Sequence, residues 1–120
     1  MNPSGQQAEE FACQYLQQQK LKLITKNYRC RRGEIDLIMQ DQQTLVFVEV
    51  RFRKNGRFGS ALESIDLKKQ AKIIVTAEHY LLQCKQDYLA YRFDVIAIMP
   101  LHNSDQLETN WIKNAFQLER

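Results

Sequence analysis

Residues 33–53, GEIDLIMQDQQTLVFVEVRFR, decide how the chain folds. This stretch contains two short apolar runs, Ile35–Met39 and Leu45–Val50, on either side of the polar segment DQQT. A polar break of this length between two apolar runs is typical of a β-hairpin. The second run is rich in β-branched and aromatic residues, which strands favour. We therefore predict two antiparallel strands at the centre of a sheet.

Charged side chains interrupt both predicted strands: Glu34, Asp36, Glu49 and Arg51. Side chains alternate between the two faces of a strand, so Glu49 and Arg51 point to the same side. Pairing across the turn at residues 41–44 places Asp36 roughly opposite Glu49 and Arg51, whereas a slip of one residue moves it to the other face. In the first register two carboxylates and one cation meet, as in a site for a divalent metal ion.

The composition sets bounds on the class of protein. With 120 residues, of which 44% are hydrophobic and 26% charged, the chain is expected to form one folded domain over residues 1–120. The net charge of +3 is small, but basic residues lie on both sides of the acidic stretch. This arrangement favours a polyanion such as DNA, although solvated surface charges are the plain alternative. The candidates for contact with a phosphate backbone are Arg31, Arg32, Arg53, Lys54, Arg57, Lys68 and Lys69.

The cysteines and the N-terminus bear on location. Cys13, Cys30 and Cys84 are widely spaced and include no CxxC pair, so nothing suggests a zinc site. The N-terminus MNPSGQQAEE lacks the basic start and apolar run of a signal peptide. No apolar stretch approaches the length needed to span a bilayer. We interpret the chain as a cytoplasmic protein with reduced cysteines.

Periodicity elsewhere in the chain predicts the remaining elements. The predicted helices cover residues 4–19 and a segment from 62 or 66 to about 83; further strands are predicted at 21–28, 91–99 and 108–116, the last at a sheet edge. Ser4 and Gln7 have the spacing of a capping box at the first helix. Asp94, inside the fourth strand, is interpreted as the salt-bridge partner of Arg92. The order of helix, three strands, helix and one or two strands predicts an α/β (α+β) fold with a mixed sheet flanked by helices.

The acidic hairpin has the groups that phosphodiester hydrolysis requires. One or two Mg²⁺ ions held by carboxylates activate water and neutralise the phosphate, and an adjacent cation stabilises the transition state. Asp36 and the segment Glu49-Val50-Arg51 supply such groups on one hairpin. As a bare pattern this spacing is weak evidence. It gains weight because Glu49 and Arg51 interrupt an otherwise apolar strand.

Several motifs resemble those of the YraN family, an uncharacterised bacterial group: GEIDLI, FVEVR, RFG, a lysine-rich helix and RFDVI. The resemblance covers nearly the whole chain, from AEEFACQYL to NAF. That family is similar to the restriction-endonuclease-like, or PD-(D/E)XK, nucleases and to archaeal Holliday-junction resolvases. The resemblance implies a restriction-endonuclease-like core and an endonuclease dependent on Mg²⁺ or Mn²⁺. It also implies DNA, including branched or junction DNA, as substrate, and a homodimer.

The resemblance further assigns roles to individual residues. It makes Asp36 and Glu49 metal ligands and adds Glu9, from the first helix, as a third acid. From the sequence alone Glu9 is better explained as a solvated acid in the first helical turn. The last motif position is usually lysine, but this chain has Arg51. Arginine stays protonated, so it can steady a phosphate but cannot act as a base.

Three functions are compatible with the sequence. The first is a metal-dependent DNA endonuclease with Asp36, Glu49, Arg51 and Glu9 in its active site. The second is a nucleic-acid-binding protein of nuclease fold with weak or lost catalysis, a reading that the arginine favours. The third is an interaction protein in which Glu49 and Arg51 form a plain ion pair.

Overall fold

The computed structural model of the protein describes residues 4–53, 62–101 and 106–117. Two helices and five strands are defined within these ranges. They are α1 (Gly5–Gln18), β1 (Lys22–Cys30), β2 (Gly33–Asp41), β3 (Thr44–Phe52), α2 (Leu67–Gln83), β4 (Ala90–Pro100) and β5 (Leu107–Phe116). The predicted α+β order of helix, three strands, helix and one or two strands is confirmed, with two strands at the end.

The five strands form one mixed sheet in the order β1-β2-β3-β4-β5. β2 pairs with β1 and with β3 in antiparallel fashion, β3 and β4 are parallel, and the edge strand β5 is antiparallel to β4. A parallel pair requires a long crossover connection, and α2 lies in the connection between β3 and β4. The sheet therefore joins a three-stranded antiparallel unit to a two-stranded one.

The two helices pack against different hydrophobic clusters. Val46 and Val48 of β3 pack with residues of α1, whereas Leu45 and Phe47 pack with residues of α2. Alternate side chains of one strand thus enter the two clusters, as the period of a β-strand requires. Because both faces of the central strands are covered, these strands appear in the sequence as nearly continuous apolar runs.

Local capping fixes where both helices begin. The Ser4 hydroxyl accepts a hydrogen bond from the Gln7 N–H at 3.1 Å, and the Gln7 side chain accepts one from the Ser4 N–H at 2.8 Å. The predicted capping box is therefore confirmed. At α2 the Asp66 carboxylate accepts a hydrogen bond from the Lys69 N–H at 2.8 Å, which fixes the first turn of that helix.

Asp94 ties β4 to β5 and is fully buried. Its carboxylate accepts hydrogen bonds from Arg92 Nε at 3.0 Å, Trp111 Nε1 at 2.8 Å and the Asn114 N–H at 2.9 Å. Arg92 also donates to Asp41 at 3.1 Å. The predicted pairing of Asp94 with Arg92 is confirmed, and the site is structural because each acceptor is satisfied.

The described helices and cysteines bear on membrane crossing and on disulfide formation. Neither α1 nor α2 is both long and apolar enough to cross a membrane, and nothing else in the described ranges forms such a helix. All three cysteines fall within these ranges and are not joined by disulfides.

Gly33 permits the β1–β2 turn to approach α2 closely. A Cβ atom at this position would lie 3.0 Å from Thr76 Oγ1 and 3.5 Å from the Lys72 carbonyl oxygen. The Thr76 hydroxyl is itself held by that carbonyl at 2.7 Å, so it is not free to move aside. The glycine thereby brings the Arg31–Arg32 turn against α2.

We expect Gly33→Ala to lower the free energy of unfolding by about 1 kcal/mol through overpacking against Thr76. Gly5→Ala is the matched control, because no atom lies within 4 Å of its added Cβ. In Gly5→Ala the free energy of unfolding should rise by about 0.5 kcal/mol, since alanine favours the helix. Urea denaturation of both variants makes the test, and a Gly33→Ala protein as stable as the wild type would contradict it.

Asp94→Ala should cost about 3–5 kcal/mol of unfolding free energy, because it leaves Arg92 Nε, the Trp111 indole N–H and the Asn114 N–H without their acceptor. Asp41→Ala removes only the outer contact of Arg92 and should cost about 1 kcal/mol or less. Equal losses in the two variants, measured by chemical denaturation, would show that the buried carboxylate has no special role in the fold.

Candidate functional site

The site lies where the β2–β3 ladder ends. The last paired residues are Leu37 and Val48, and the next position of this register joins Asp36 and Glu49. There the Asp36 carboxylate accepts a hydrogen bond from the Val50 N–H at 2.8 Å, so a side chain replaces the backbone ladder. The two carboxyl groups lie within hydrogen-bonding reach of each other. The hairpin register thus brings both acids to one point.

A local distortion in β2 accompanies this arrangement. Ile35 packs with residues of α2, whereas Leu37, two positions along the strand, packs with residues of α1. Regular alternation would place both side chains on the same face. On β1, Asn27 has a left-handed backbone with φ of 52° at the position opposite Asp36. The distortion on both strands frees the Asp36 carboxylate from a regular sheet position.

Glu9 comes to the same place from α1. It is half-buried and lies within hydrogen-bonding reach of Asp36. Burial, followed by the charges of Asp36 and Glu34, raises the pKa of Glu9. With its amide nitrogen turned toward the acids, Asn27 donates to Glu9 at 3.0 Å and to Glu34 at 3.1 Å. Glu9 is therefore not the freely solvated acid that the sequence alone favoured.

Asn27 is a site residue that the motifs of the sequence do not reveal. Its signal was an asparagine inside a predicted strand, a residue type that is enriched in the left-handed region. The amide then bridges two acids, a contact that depends on the tertiary packing of α1 against the sheet. The sequence marks Glu34 only as a charged residue of a strand and does not place it at the site. In the structure its Oε2 lies 3.6 Å from Arg29 Nε.

Glu49 is the acid most strongly perturbed by its surroundings. The residue is 7% exposed, and burial together with the charge of Asp36 raises its pKa to about 7. Two cations oppose this effect: Arg51 Nη2 lies 2.9 Å and Lys69 Nζ lies 3.8 Å from the same oxygen, Oε2. Burial is also the main cause of the raised pKa of Asp36. Positive charge near these two adjacent buried acids therefore stabilises their ionised forms.

The donor set fits a hard divalent cation. Mg²⁺ is commonly held by one or two carboxylates and keeps several waters, so Asp36 and Glu49 together are sufficient. Among residues 4–53, 62–101 and 106–117, no three His, Cys, Asp or Glu side chains are arranged to hold a metal ion. Glu9 thus contacts Asp36 without completing a three-ligand set.

The predicted phosphate-binding residues fall into three groups. Arg31, Arg32 and Lys68 are exposed, Lys69 and Arg53 are half-buried, and Lys54 and Arg57 lie outside the described residues. Gly33 places the turn that carries Arg31 and Arg32 next to Lys72 of α2. Basic side chains of the turn and of the start of α2 therefore lie on neighbouring elements. The backbone of Arg53 is also fixed, because its N–H donates a hydrogen bond to the Ile98 carbonyl oxygen at 2.8 Å.

Two surface grooves lie elsewhere on the molecule. One, of about 540 Å³, is lined by residues of β4 and β5 that include Tyr91 and Arg92. The other, of about 570 Å³, lies between β1 and the end of α2. Neither is lined by Asp36 or Glu49. Among the described residues that line these two grooves, none are acids that face each other as Asp36 and Glu49 do.

Glu49 makes stability depend on pH. Its pKa rises from 4.5 to about 7 on folding, so the stability it contributes is present below about pH 4.5 and is lost as pH rises through about 7. In EDTA, we expect the wild type to lose on the order of 2–3 kcal/mol relative to Glu49→Gln between about pH 5 and pH 8. Urea denaturation across this range measures the difference.

Glu10 provides a control of opposite sign. Its hydrogen bond and ion pair with Lys26 lower its pKa, so its contribution to stability is present at neutral pH and is lost as pH falls.

The prediction for Glu49 would be contradicted if the free energy of unfolding changed with pH in the same way for the wild type and for Glu49→Gln. That result would show that the Glu49 carboxyl group is not perturbed.

Comparison with known proteins identifies the family. Residues 8–98 match a model described as uncharacterised protein family UPF0102. A UPF0102 protein of Psychromonas ingrahamii is 54% identical over 116 residues, which cover 97% of this chain and 91% of that protein. A UPF0102 protein of Saccharophagus degradans is 51% identical over 118 residues, covering 98% and 95%. The resemblance drawn from the motifs is confirmed: the chain belongs to the uncharacterised protein family UPF0102, the YraN-like proteins.

Proposed function

We propose that the protein is an endonuclease that cleaves DNA with the help of a divalent cation. One observation carries this proposal: Asp36 and Glu49, from different strands, meet where the ladder ends and are flanked by two cations. Arg51 and Lys69 offset only part of the cost of burying the two acids, because the pKa of each acid stays raised in spite of them. A divalent cation shared by the two carboxylates would stabilise their charged forms.

Asp36 and Glu49 would hold Mg²⁺ or Mn²⁺ through their carboxylate oxygens, with Glu9 beside Asp36. When bound, such an ion supplies a water of lowered pKa and neutralises charge on the phosphate. The protein contributes position: the Val50 N–H fixes the Asp36 carboxylate, and Asn27 holds Glu9. Because these groups are anchored on strands and a helix, little reorganisation is required on substrate binding.

The basic groups near the acids suit a phosphodiester backbone. Arg31 and Arg32 in the β1–β2 turn and Lys68 on α2 are exposed and can contact phosphates beyond the scissile one. Branched or junction DNA is proposed on the resemblance to Holliday-junction resolvases alone. A cytoplasmic location is proposed from the sequence, and the free thiols agree with it.

A second candidate function is DNA binding without efficient cleavage. Arg51 favours it, because this arginine stands at the usual lysine position and its guanidinium is engaged with Glu49 at 2.9 Å. Arginine does not deliver or accept a proton at neutral pH. On this account the basic surface is retained and the chemistry is weak or lost.

The test is incubation with labelled linear, flapped and four-way DNA in Mn²⁺. We expect cleavage of at least one substrate, and Asp36→Asn and Glu49→Gln should each lower the rate by at least about 100-fold. Asp41→Asn is the matched control: it removes an acid from the same strand β2, at the end where that acid pairs with Arg92, and should change the rate by no more than about twofold.

Other outcomes of this experiment separate the candidates. Salt-sensitive binding of DNA without cleavage supports the second function. Cleavage that persists in Glu49→Gln contradicts the proposed site, and an absence of both binding and cleavage contradicts both functions.

A further inference from the structure

We propose that Lys69 of α2 takes the place of the lysine missing from the motif, as the cation that contacts the phosphate at the Asp36–Glu49 site. This inference rests on the proposed function. The geometry points to it because two cations reach the same oxygen of Glu49 but differ in their freedom to contact a substrate.

Arg51 is committed to the protein. Its Nη2 lies 2.9 Å from Glu49 Oε2, and 27% of its side chain is exposed. Its Nε is buried, and no hydrogen-bond partner for it exists among the described residues. A guanidinium that faces inward in this way neutralises Glu49 but has little surface to offer a ligand. Arg51 therefore supports the acid pair instead of replacing the lysine.

Lys69 has the complementary properties. Its Nζ lies 3.8 Å from Glu49 Oε2, beyond hydrogen-bonding distance but close enough for electrostatic attraction, and 41% of its side chain is exposed. The ammonium group therefore keeps donors available for an anion approaching from solvent. A phosphate that contacts a cation at the two carboxylates would lie within reach of this group.

The position of Lys69 is fixed by the fold. Its backbone N–H bonds to the Asp66 cap at 2.8 Å, so the residue is locked in the first turn of α2. Lys68 and Lys69 both lie in this turn, which contains no acidic residue. Cations there oppose the helix dipole, so the stability of the helix alone does not favour them. Helix α2 thus delivers to the acid pair a lysine that strand β3 lacks.

The decisive test asks whether Lys69 and a divalent cation act on DNA together. Affinity for DNA is measured with and without Ca²⁺, with gel analysis verifying that the DNA is intact. If Lys69 contacts the phosphate at the site, Lys69→Ala should reduce the Ca²⁺-dependent gain in affinity by about fivefold or more, as expected for coupled ligands. Lys68→Ala, one residue away, should weaken binding without changing that gain, because its backbone contact is independent of the site.

Cleavage provides a second readout. At saturating DNA in Mn²⁺, Lys69→Ala should cut at least about 100-fold more slowly, Lys69→Arg should recover part of the rate, and Arg51→Lys should give no gain. Lys85→Ala, beyond the far end of α2, removes the same charge and should change neither readout by more than about twofold. Melting temperatures verify that each variant is folded.

The outcomes distinguish failure of this inference from failure of the proposed function. If Lys69→Ala keeps the full Ca²⁺-dependent gain, or if Arg51→Lys cuts faster than the wild type, the role assigned to Lys69 is wrong even though the nuclease stands. A wild-type protein that shows neither Ca²⁺-dependent binding nor cleavage overturns the proposed function, and this inference with it. The binding readout decides the matter even for a wild type that does not cut.

Discussion

Two buried carboxylates that approach each other across the end of a β-ladder are the interaction on which the rest of this structure depends. Asp36 and Glu49 are held together because β2 and β3 pair in a register fixed by apolar side chains on both faces. Holding two acids side by side away from water costs free energy: burial raises the pKa of both, and the charge of Asp36 raises the pKa of Glu49 further. The rest of the surroundings reduces that cost: the Val50 N–H contacts Asp36, and Arg51 and Lys69 contact Glu49.

Asp94 shows what a buried acid looks like when its role is structural. It is fully buried, yet donors from Arg92, Trp111 and Asn114 satisfy its oxygens, and it faces no second carboxylate in the described network. Asp36, by contrast, faces Glu49 on one side and Glu9 on the other. The difference lies in the partners and not in the degree of burial, so the contrast supports a binding role for the acid cluster.

Local rules predicted most of the fold, because the signals lie close together in the chain. The capping box needed only Ser4 and Gln7, and the hairpin needed only two apolar runs around a polar break. Its register was open between two alignments in the sequence, and the pairing of β2 with β3 is the one that brings Asp36 opposite Glu49. The distortion at Asn27 and Asp36 could not be predicted, because it arises where α1 packs against the sheet. The same holds for Lys69: the sequence offers it only as one of several candidates for contact with phosphate, and only the packing of α2 shows that its ammonium group reaches Glu49. The resemblance pointed to Glu9, whereas the residue's own context in the sequence did not.

Anomalous X-ray scattering from crystals grown with Mn²⁺ tests the central claim most directly. If the acid pair is a cation site, a single strong peak should lie between the Asp36 and Glu49 carboxylates, about 2.0–2.6 Å from oxygens of both, as oxygen-ligated divalent ions do. It should be absent from crystals of a protein carrying Asp36→Asn and Glu49→Gln. A wild-type crystal with no peak at these carboxylates, or with both side chains turned to opposite sides of the sheet, would contradict the account.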